Sequence, residues 1–165
     1  MQKKLKSLLI IMLCSSISLT GLADGKKLID SLLPKPQKCE VGKSSFSISD
    51  KTKIYVVSDG SAKAEFAGRR LATLLQEQQG LDLEVVQKKS ETSFSLFLGN
   101  VDNAESLSLA PVKDKQEGYL LRVDKGGAHI QANTALGLFH GAMTLRQLVD
   151  SDQVQGCEIV DYPRY

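Results

Sequence analysis

Two long stretches of the chain place apolar residues at helical spacing, and this pattern limits the fold most strongly. Over residues 61–79 the apolar positions recur every three or four residues and Gly80 follows, which predicts an amphipathic helix of about five turns ending at the glycine. The same spacing recurs over 134–149, where Asn133 or Thr134 can cap the start. The two apolar sets are Ala62, Phe66, Ala67, Leu71, Leu74 and Leu75, and Ala135, Leu138, Phe139, Ala142, Leu145, Leu148 and Val149.

The segments around these helices are typical of a sheet. Alternating or apolar strand-like runs occupy 45–49, 53–58, 81–86 and 93–99, and a hairpin with its turn at Asp124–Gly127 is predicted over 118–132. Pro34 and Pro36 favour an extended segment before the first strand. The polar stretch 100–116 is predicted to be a loop or a weak edge strand.

This order of elements predicts an α+β fold. We expect a two-layer sandwich in which a mixed or antiparallel sheet has two helices on one face, with a last strand after the second helix. Residues 24–165 suffice for one hydrophobic core but not for two ordinary domains.

Residues 1–23 are predicted to be a secretory signal peptide. Three lysines precede the apolar stretch Leu8–Leu13, and Gly21-Leu22-Ala23 places cleavage before Asp24. A membrane anchor would need about 20 continuous apolar residues, and this stretch is much shorter. The protein is therefore expected to be exported, to the periplasm or the cell exterior.

The positive charge of the chain lies in this leader. The whole sequence has 21 basic and 19 acidic side chains, and without the three leader lysines 18 basic residues face 19 acidic ones, a net charge of −1. No basic run of the kind that neutralises phosphates remains, so nucleic acid is not an expected partner. No membrane span is expected in the mature chain.

Two cysteines remain after cleavage, Cys39 near the start of the mature chain and Cys157 near its end. A disulfide can persist in the periplasm or outside the cell, and a bridge between these two residues would close nearly the whole domain. Two separate buried thiols are the alternative. The pair is therefore a candidate disulfide, and both interpretations stay open.

No constellation of catalytic, substrate-binding or metal-binding residues stands out. His129 and His140 belong to no H-E-x-x-H pair and no Cys-x-x-Cys accompanies them, so no metal and no cofactor is expected. We interpret His140 as a partly buried, hydrogen-bonded side chain of the second helix. Neither a G-x-S-x-G nucleophile motif nor a phosphate-binding glycine loop occurs.

The carboxylates also give no catalytic pair. Glycosidases use two carboxylates, and the chain has no adjacent Asp-Glu; Glu158 and Asp161 are its closest approach to a pair. Several aspartates fall at predicted turns or element ends, where Asp usually accepts hydrogen bonds from backbone N–H groups. They are Asp59, Asp102, Asp124, Asp150 and Asp161.

Three stretches together resemble the N-terminal domain of the family 20 glycoside hydrolases, the β-N-acetylhexosaminidases. They are "LLPKPQKCEVG", "EGYLLRVDKGGAHIQANTALGLFHGAMTLRQLV" and "IVDYPRY", and the likeness spans about Leu32 to Tyr165. The central stretch is the most specific. Its matching residues are Tyr119, Ile130, Ala132, Gly137, Gly141, Thr144 and Gln147.

The resemblance implies a zincin-like α+β domain without zinc chemistry that lies beside a catalytic barrel. In that family the barrel supplies an aspartate that orients the substrate acetamide and a glutamate that protonates the leaving oxygen, and neither is in this chain. Arg164 belongs to the Pro-Arg-aromatic motif and not to the sugar-binding Arg-Gly motif that follows it, so it receives no binding role. Gly137 and Gly141 would let a neighbouring backbone or the barrel approach closely.

We therefore expect the non-catalytic N-terminal domain, residues 24–165, of an exported exo-β-N-acetylhexosaminidase, without its catalytic barrel. The intact enzyme would remove terminal β-linked N-acetylglucosamine or N-acetylgalactosamine, and the glycan would be bound only through the barrel. The alternatives are a module of a family 84 β-N-acetylglucosaminidase or of an α-glucuronidase, and a free-standing carbohydrate-binding or interaction module. A domain that contacts a barrel should have an exposed apolar patch, whereas a free-standing module should not.

Overall fold

The computed structural model describes residues 27–57, 62–87, 93–98 and 116–162. The strands are β1 (Lys38–Ser47), β2 (Lys53–Val57), β3 (Val85–Val86), β4 (Ser93–Leu98), β5 (Tyr119–Asp124), β6 (Gly127–Ala132), β7 (Val149–Asp150) and β8 (Gln153–Asp161), and the helices are α1 (Ala62–Gln79) and α2 (Ala135–Leu148). A short helical turn at 27–30 precedes them. The predicted leader, the polar stretch up to residue 115 and Arg164 lie outside these ranges.

The strands form one mixed sheet in the order β1-β8-β5-β6-β4-β2-β3, and β7 pairs with β8. The half from β1 to β6 is antiparallel, while β6, β4, β2 and β3 pair in parallel. The parallel pairs need crossover connections, and α1 supplies the crossover from β2 to β3. The predicted mixed sheet of an α+β fold is therefore confirmed.

Both helices pack on the same face of this sheet and share one core with it. The completely buried side chains include Leu71 and Leu75 of α1, Leu138 and Leu145 of α2, and Ile130 of β6. The helices run in the same direction. Phe66 near the start of α1 stacks on Phe139 near the start of α2, and near their ends Arg146 donates to Gln78 over 2.8 Å.

The helix ends follow the predicted chemistry. The Thr134 side chain accepts the Gly137 N–H over 3.1 Å and caps α2. Gly80 has φ 71° after α1, and the Gly80 and Leu81 N–H groups donate to the carbonyls of the last helical turn. In the β5–β6 hairpin only Gly127 has a positive φ, and Asp124 Oδ1 accepts the Gly126 N–H over 2.7 Å.

The first strand differs most from the sequence prediction. The alternating pattern predicts a strand at 45–49, but β1 begins at Lys38 and pairs with β8 along its length, with a register shift between Val41 and Ser45. Cys39 and Val41 alternate with Lys38 and Glu40, but Gly42, Lys43 and Ser44 interrupt the pattern before the predicted strand. The predicted strand at 81–86 shortens to β3, and the last predicted helical residue, Val149, instead caps α2 and starts β7.

Two glycines set the distance between α2 and the sheet. A Cβ atom at Gly137 would overlap the carbonyl oxygen of Gly118, and one at Gly141 would lie 2.5 Å from Ile130 Cγ2 and 3.1 Å from the Tyr119 ring. Of the two predicted roles, close approach to a neighbouring backbone is therefore the one found at Gly137. Both glycines face the chain's own sheet, so neither contributes to the outer surface of the helix.

We expect Gly137→Ala to lower the free energy of unfolding by about 1–3 kcal/mol, because the added methyl must displace backbone and not a flexible side chain. This loss is expected despite the roughly 1 kcal/mol that alanine gains over glycine inside a helix. Urea denaturation measures the difference. Glu77→Ala, at an exposed position of α1, is the control and should change stability by less than about 0.5 kcal/mol; an alanine at 137 with wild-type stability would contradict the close contact.

Candidate functional site

The two carboxylates nearest to a catalytic pair point to opposite faces of the sheet. Glu158 pairs in register with Arg122 and accepts from its Nη2 over 2.7 Å, on the face away from the helices. Asp161 pairs with Tyr119, whose ring lies on the helix face. Since strand neighbours three apart alternate between faces, Glu158 and Asp161 cannot act together on one glycosidic bond.

The histidines are also separated by the sheet. His129 is in register with Arg122 on the helix-free face, where it borders an open cleft of about 340 Å³ together with Tyr55, Ser95 and Gln131. His140 lies on α2 with its Nε2 3.8 Å from a Glu117 carboxylate oxygen, a contact that becomes an ion pair only when the imidazole is protonated. The His140 side chain is partly buried, as predicted, and 3.8 Å is too long for a hydrogen bond to Glu117.

The two cysteines lie on neighbouring strands. Cys39 of β1 is opposite Ile159 of β8 and Cys157 is opposite Val41, so the cysteines are two residues out of register. Such diagonal neighbours lie about 7–8 Å apart, near or beyond the Cα separation of about 7 Å that a disulfide spans. Both are free thiols in the structure. The bridge stays a prediction, and thiol counting in denatured, unreduced protein decides it.

A group of polar contacts lies where the segment before β1 meets α2 and the end of β8. We call Leu33–Gln37 the amino-terminal arm. Leu33 donates its N–H to Gln147 Oε1 over 3.1 Å and accepts from Gln147 Nε2 over 3.0 Å. At the other end of the arm, Gln37 donates its N–H to Asp161 Oδ1 over 3.1 Å and its side-chain amide to the Tyr162 carbonyl over 3.3 Å.

A buried hydroxyl pair lies beneath this arm. The Tyr119 hydroxyl and Thr144 Oγ1 are 2.6 Å apart, and both side chains are buried. Burial raises the pKa of Tyr119 above its ordinary value; the hydrogen bond with Thr144 opposes the rise in part and the Asp161 carboxylate adds to it. The phenol is therefore neutral at any physiological pH and serves as a hydrogen-bonding group, not as an acid or base.

The arm, α2 and the end of β8 enclose a second cleft of about 340 Å³. We call this region the junction. Its lining combines apolar and polar side chains, among them Leu33, Pro34, Tyr119, Met143, Thr144, Gln147 and Asp161. The junction joins the start and the end of the described fold. It is the part of the molecule that residues of all three quoted sequence stretches build together.

An apolar groove lies on the outer surface of the two helices. Its lining is Ala62, Lys63 and Phe66 of α1 and Ala135, Leu136 and Phe139 of α2, and its volume is about 600 Å³. Phe66 is 57% exposed and Leu136 is 48% exposed, and the rings of Phe66 and Phe139 stack with centroids 6.0 Å apart. The sequence pattern places Phe66 in the buried set of α1, so its exposure is a correction. The groove is therefore lined mostly by apolar side chains that the core leaves exposed or only partly buried.

Among the described residues, no three His, Cys, Asp or Glu side chains are arranged to hold a metal ion. In the same part of the chain, none of the helices has the length and apolar character needed to cross a membrane.

Comparison with known proteins identifies the fold. Residues 30–162 match the family described as Glycosyl hydrolase family 20, domain 2. The chain belongs to glycoside hydrolase family 20. The predicted resemblance and the fold class are both confirmed.

Individual family 20 proteins are similar over most of the chain. A β-hexosaminidase of Porphyromonas gingivalis is 30% identical over 146 residues, which cover 82% of this chain and 17% of that protein. The structure of the family 20 β-N-acetylhexosaminidase of Streptomyces coelicolor has a TM-score of 0.66 at 32% identity, and that of the Streptomyces plicatus N-acetyl-β-hexosaminidase has 0.61 at 29%. Each covers 83% of this chain and 27% of the other. The family 20 domain thus spans roughly a quarter or less of these relatives, and it corresponds to their domain 2.

We expect Tyr119→Phe to lower the free energy of unfolding by about 1–2 kcal/mol, because it leaves the buried Thr144 hydroxyl without its partner. Thr144→Val should have a similar effect. The double variant should lose less stability than the sum of the two single losses, since neither the phenol nor the Thr144 hydroxyl is then left unpaired. Chemical denaturation of the four proteins measures this coupling, and strictly additive losses would contradict it.

Alkaline pH should destabilise the domain through Cys157. Burial raises the pKa of its thiol to about 12, and the nearby Cys39 adds to the rise. Because the folded state holds this proton more tightly than the unfolded chain does, the contribution is complete below about pH 9 and is lost between pH 9 and 12. At pH 10.5 the loss from this thiol should be on the order of 1–2 kcal/mol.

Urea denaturation at pH 8 and pH 10.5 under reducing conditions measures this loss. Cys157→Ala should flatten the pH dependence, whereas Cys39→Ala, at a half-buried thiol, should change it less. An equally steep loss in Cys157→Ala would mean that other groups cause it.

Proposed function

We propose that this chain is the non-catalytic domain 2 of an exported exo-β-N-acetylhexosaminidase and that it supports a catalytic barrel in the longer enzyme. The observation that carries the proposal is the match of residues 30–162 to domain 2 of family 20. The relatives are β-hexosaminidases of which this chain covers 17% to 27%. The intact enzyme would hydrolyse terminal β-linked N-acetylglucosamine or N-acetylgalactosamine.

The groove on α1 and α2 supports a docked partner, and we assign the catalytic barrel as its occupant. Exposed apolar side chains grouped in one concave patch are unusual on a domain that works alone. In the groove two aromatic rings and Leu136 lie side by side, which is the composition of an interface centre. A free-standing carbohydrate-binding module would instead favour a polar outer helix surface, so the groove favours the barrel-supporting function.

Export supports the same proposal from a different part of the chain. The three lysines, the short apolar stretch and Gly21-Leu22-Ala23 have the order of a signal peptide. An intact mass that begins at Asp24 after expression in a secreting host is the expected result. A product that retains residues 1–23 would contradict export.

A domain exchange tests the proposed function. Domain 2 of the P. gingivalis β-hexosaminidase is replaced by residues 24–165 of this chain, and hydrolysis of a chromogenic β-N-acetylglucosaminide is measured. We expect the chimera to retain activity and the isolated chain to have none. In the chimera, Phe66→Ser combined with Leu136→Ser should reduce activity at least about fivefold or lower the melting temperature by several degrees. The reason is that the barrel loses its apolar contact with the groove.

The matched control is Tyr55→Ser, which removes an aromatic side chain from the helix-free face of the sheet and should leave the chimera unchanged. Circular dichroism of the isolated variants establishes that each one folds. Equal effects of the groove and control variants would overturn the assignment of the barrel to the groove. Turnover by the isolated chain that disappears in Glu158→Ala or Asp161→Ala would overturn the non-catalytic function itself.

A further inference from the structure

The amino-terminal arm is fastened at both ends by side chains that bond to its backbone. Gln147 binds the N–H and the carbonyl of Leu33 at the same time, as a neighbouring strand would. Four residues further along, Asp161 accepts the N–H of Gln37, whose side chain donates to the Tyr162 carbonyl. The arm therefore connects the last turns of α2 to the end of β8 through four hydrogen bonds.

We propose that Gln147 is a positioning residue that sets, through the arm, the direction in which the chain leaves β8. The arm can transmit position because it is stiff: Pro34 and Pro36 each fix φ near −65°, and Pro36 is buried. Leu32, just before the arm, is buried in the core, so the arm cannot slide without disturbing packing. A displacement at Leu33 is thus passed on to Gln37 and from there to Asp161.

The arrangement matters because Asp161 is the last residue of β8 and Tyr162 is the described residue that follows it. Under the proposed function, on which the purpose of this device rests, the direction of these residues sets how the following barrel lies against the groove. Gln147 would then act on the barrel without touching it. The coupling itself belongs to this chain alone and can be measured without any barrel.

The opposing interpretation is that Gln147 only satisfies two backbone groups at Leu33. The two interpretations differ at Gln37, which Gln147 does not contact. A local role changes hydrogen exchange at Leu33 alone, whereas a positioning role changes it at Leu33 and Gln37 together. Amide exchange resolved by residue in the purified protein separates them.

In Gln147→Ala we expect the Leu33 amide to exchange about three- to tenfold faster, the effect of one lost hydrogen bond, and the Gln37 amide to exchange at least about threefold faster. The buried Leu121 amide in β5 gives the change in global stability, against which both rates are normalised. The matched control is Gln153→Ala, which removes a glutamine that bonds Ser47 across the sheet, and it should leave both rates unchanged.

Two further variants keep the test decisive if Gln147→Ala folds poorly. Gln147→Glu retains an acceptor for the Leu33 N–H but replaces the donor to the Leu33 carbonyl with a second oxygen, so the Leu33 and Gln37 amides should both exchange faster, by less than in Gln147→Ala. Asp161→Ala should speed exchange at Leu33 from the other end of the arm. If Leu33 responds to Gln147 and Gln37 does not, or if Asp161→Ala leaves Leu33 unchanged, the positioning role is overturned. Either result leaves the domain-exchange experiment unaffected, so the two proposals fail separately.

Discussion

The close approach of α2 to β5 and β6 is the contact on which the rest of the structure depends. Gly137 and Gly141 have no side chain toward the sheet, and any Cβ there would meet Gly118, Ile130 or Tyr119. This spacing brings Thr144, one turn further along, within 2.6 Å of the Tyr119 hydroxyl. Gln147 follows another turn later and reaches Leu33. Along one face of α2, the contacts are therefore first with backbone, then a buried hydrogen bond, and finally the polar contacts of the junction.

The alternation of side chains along β8 places its two carboxylates, Glu158 and Asp161, on opposite faces of the sheet. Its helix-facing residues, Cys157 and Ile159, lie in the core, and Asp161 continues that face to bind the arm. Glu158 lies on the other face and is held by Arg122. A single strand therefore gives one carboxylate to the junction and one to a half-exposed ion pair, which agrees with a domain that supports catalysis elsewhere.

The parts of the fold that depend on local pattern could be predicted, and those that depend on distant partners could not. Helical periodicity gave α1 and α2 nearly to the residue, because core packing and capping by Thr134 and Gly80 act within each segment. The start of β1 at Lys38 differs from the prediction because it is held by pairing with β8, more than 100 residues away. The same limit applies to the junction. Gln147 stood out as part of a sequence motif, but nothing local indicates that it binds Leu33.

The groove follows from apolar residues at the margin of the core. The outer edges of the two apolar stripes carry Phe66 on α1, which is 57% exposed, and Phe139 on α2, which is only partly buried against the core. Because the helices run in parallel with their starts side by side, these edges meet in one place and do not scatter. Leu136 then extends the patch beyond the stripe, at a position where helical periodicity predicts solvent. Exposed apolar side chains of this kind are explained if a second domain buries them. The sequence of the two helices therefore supports the proposal that this domain packs against a barrel.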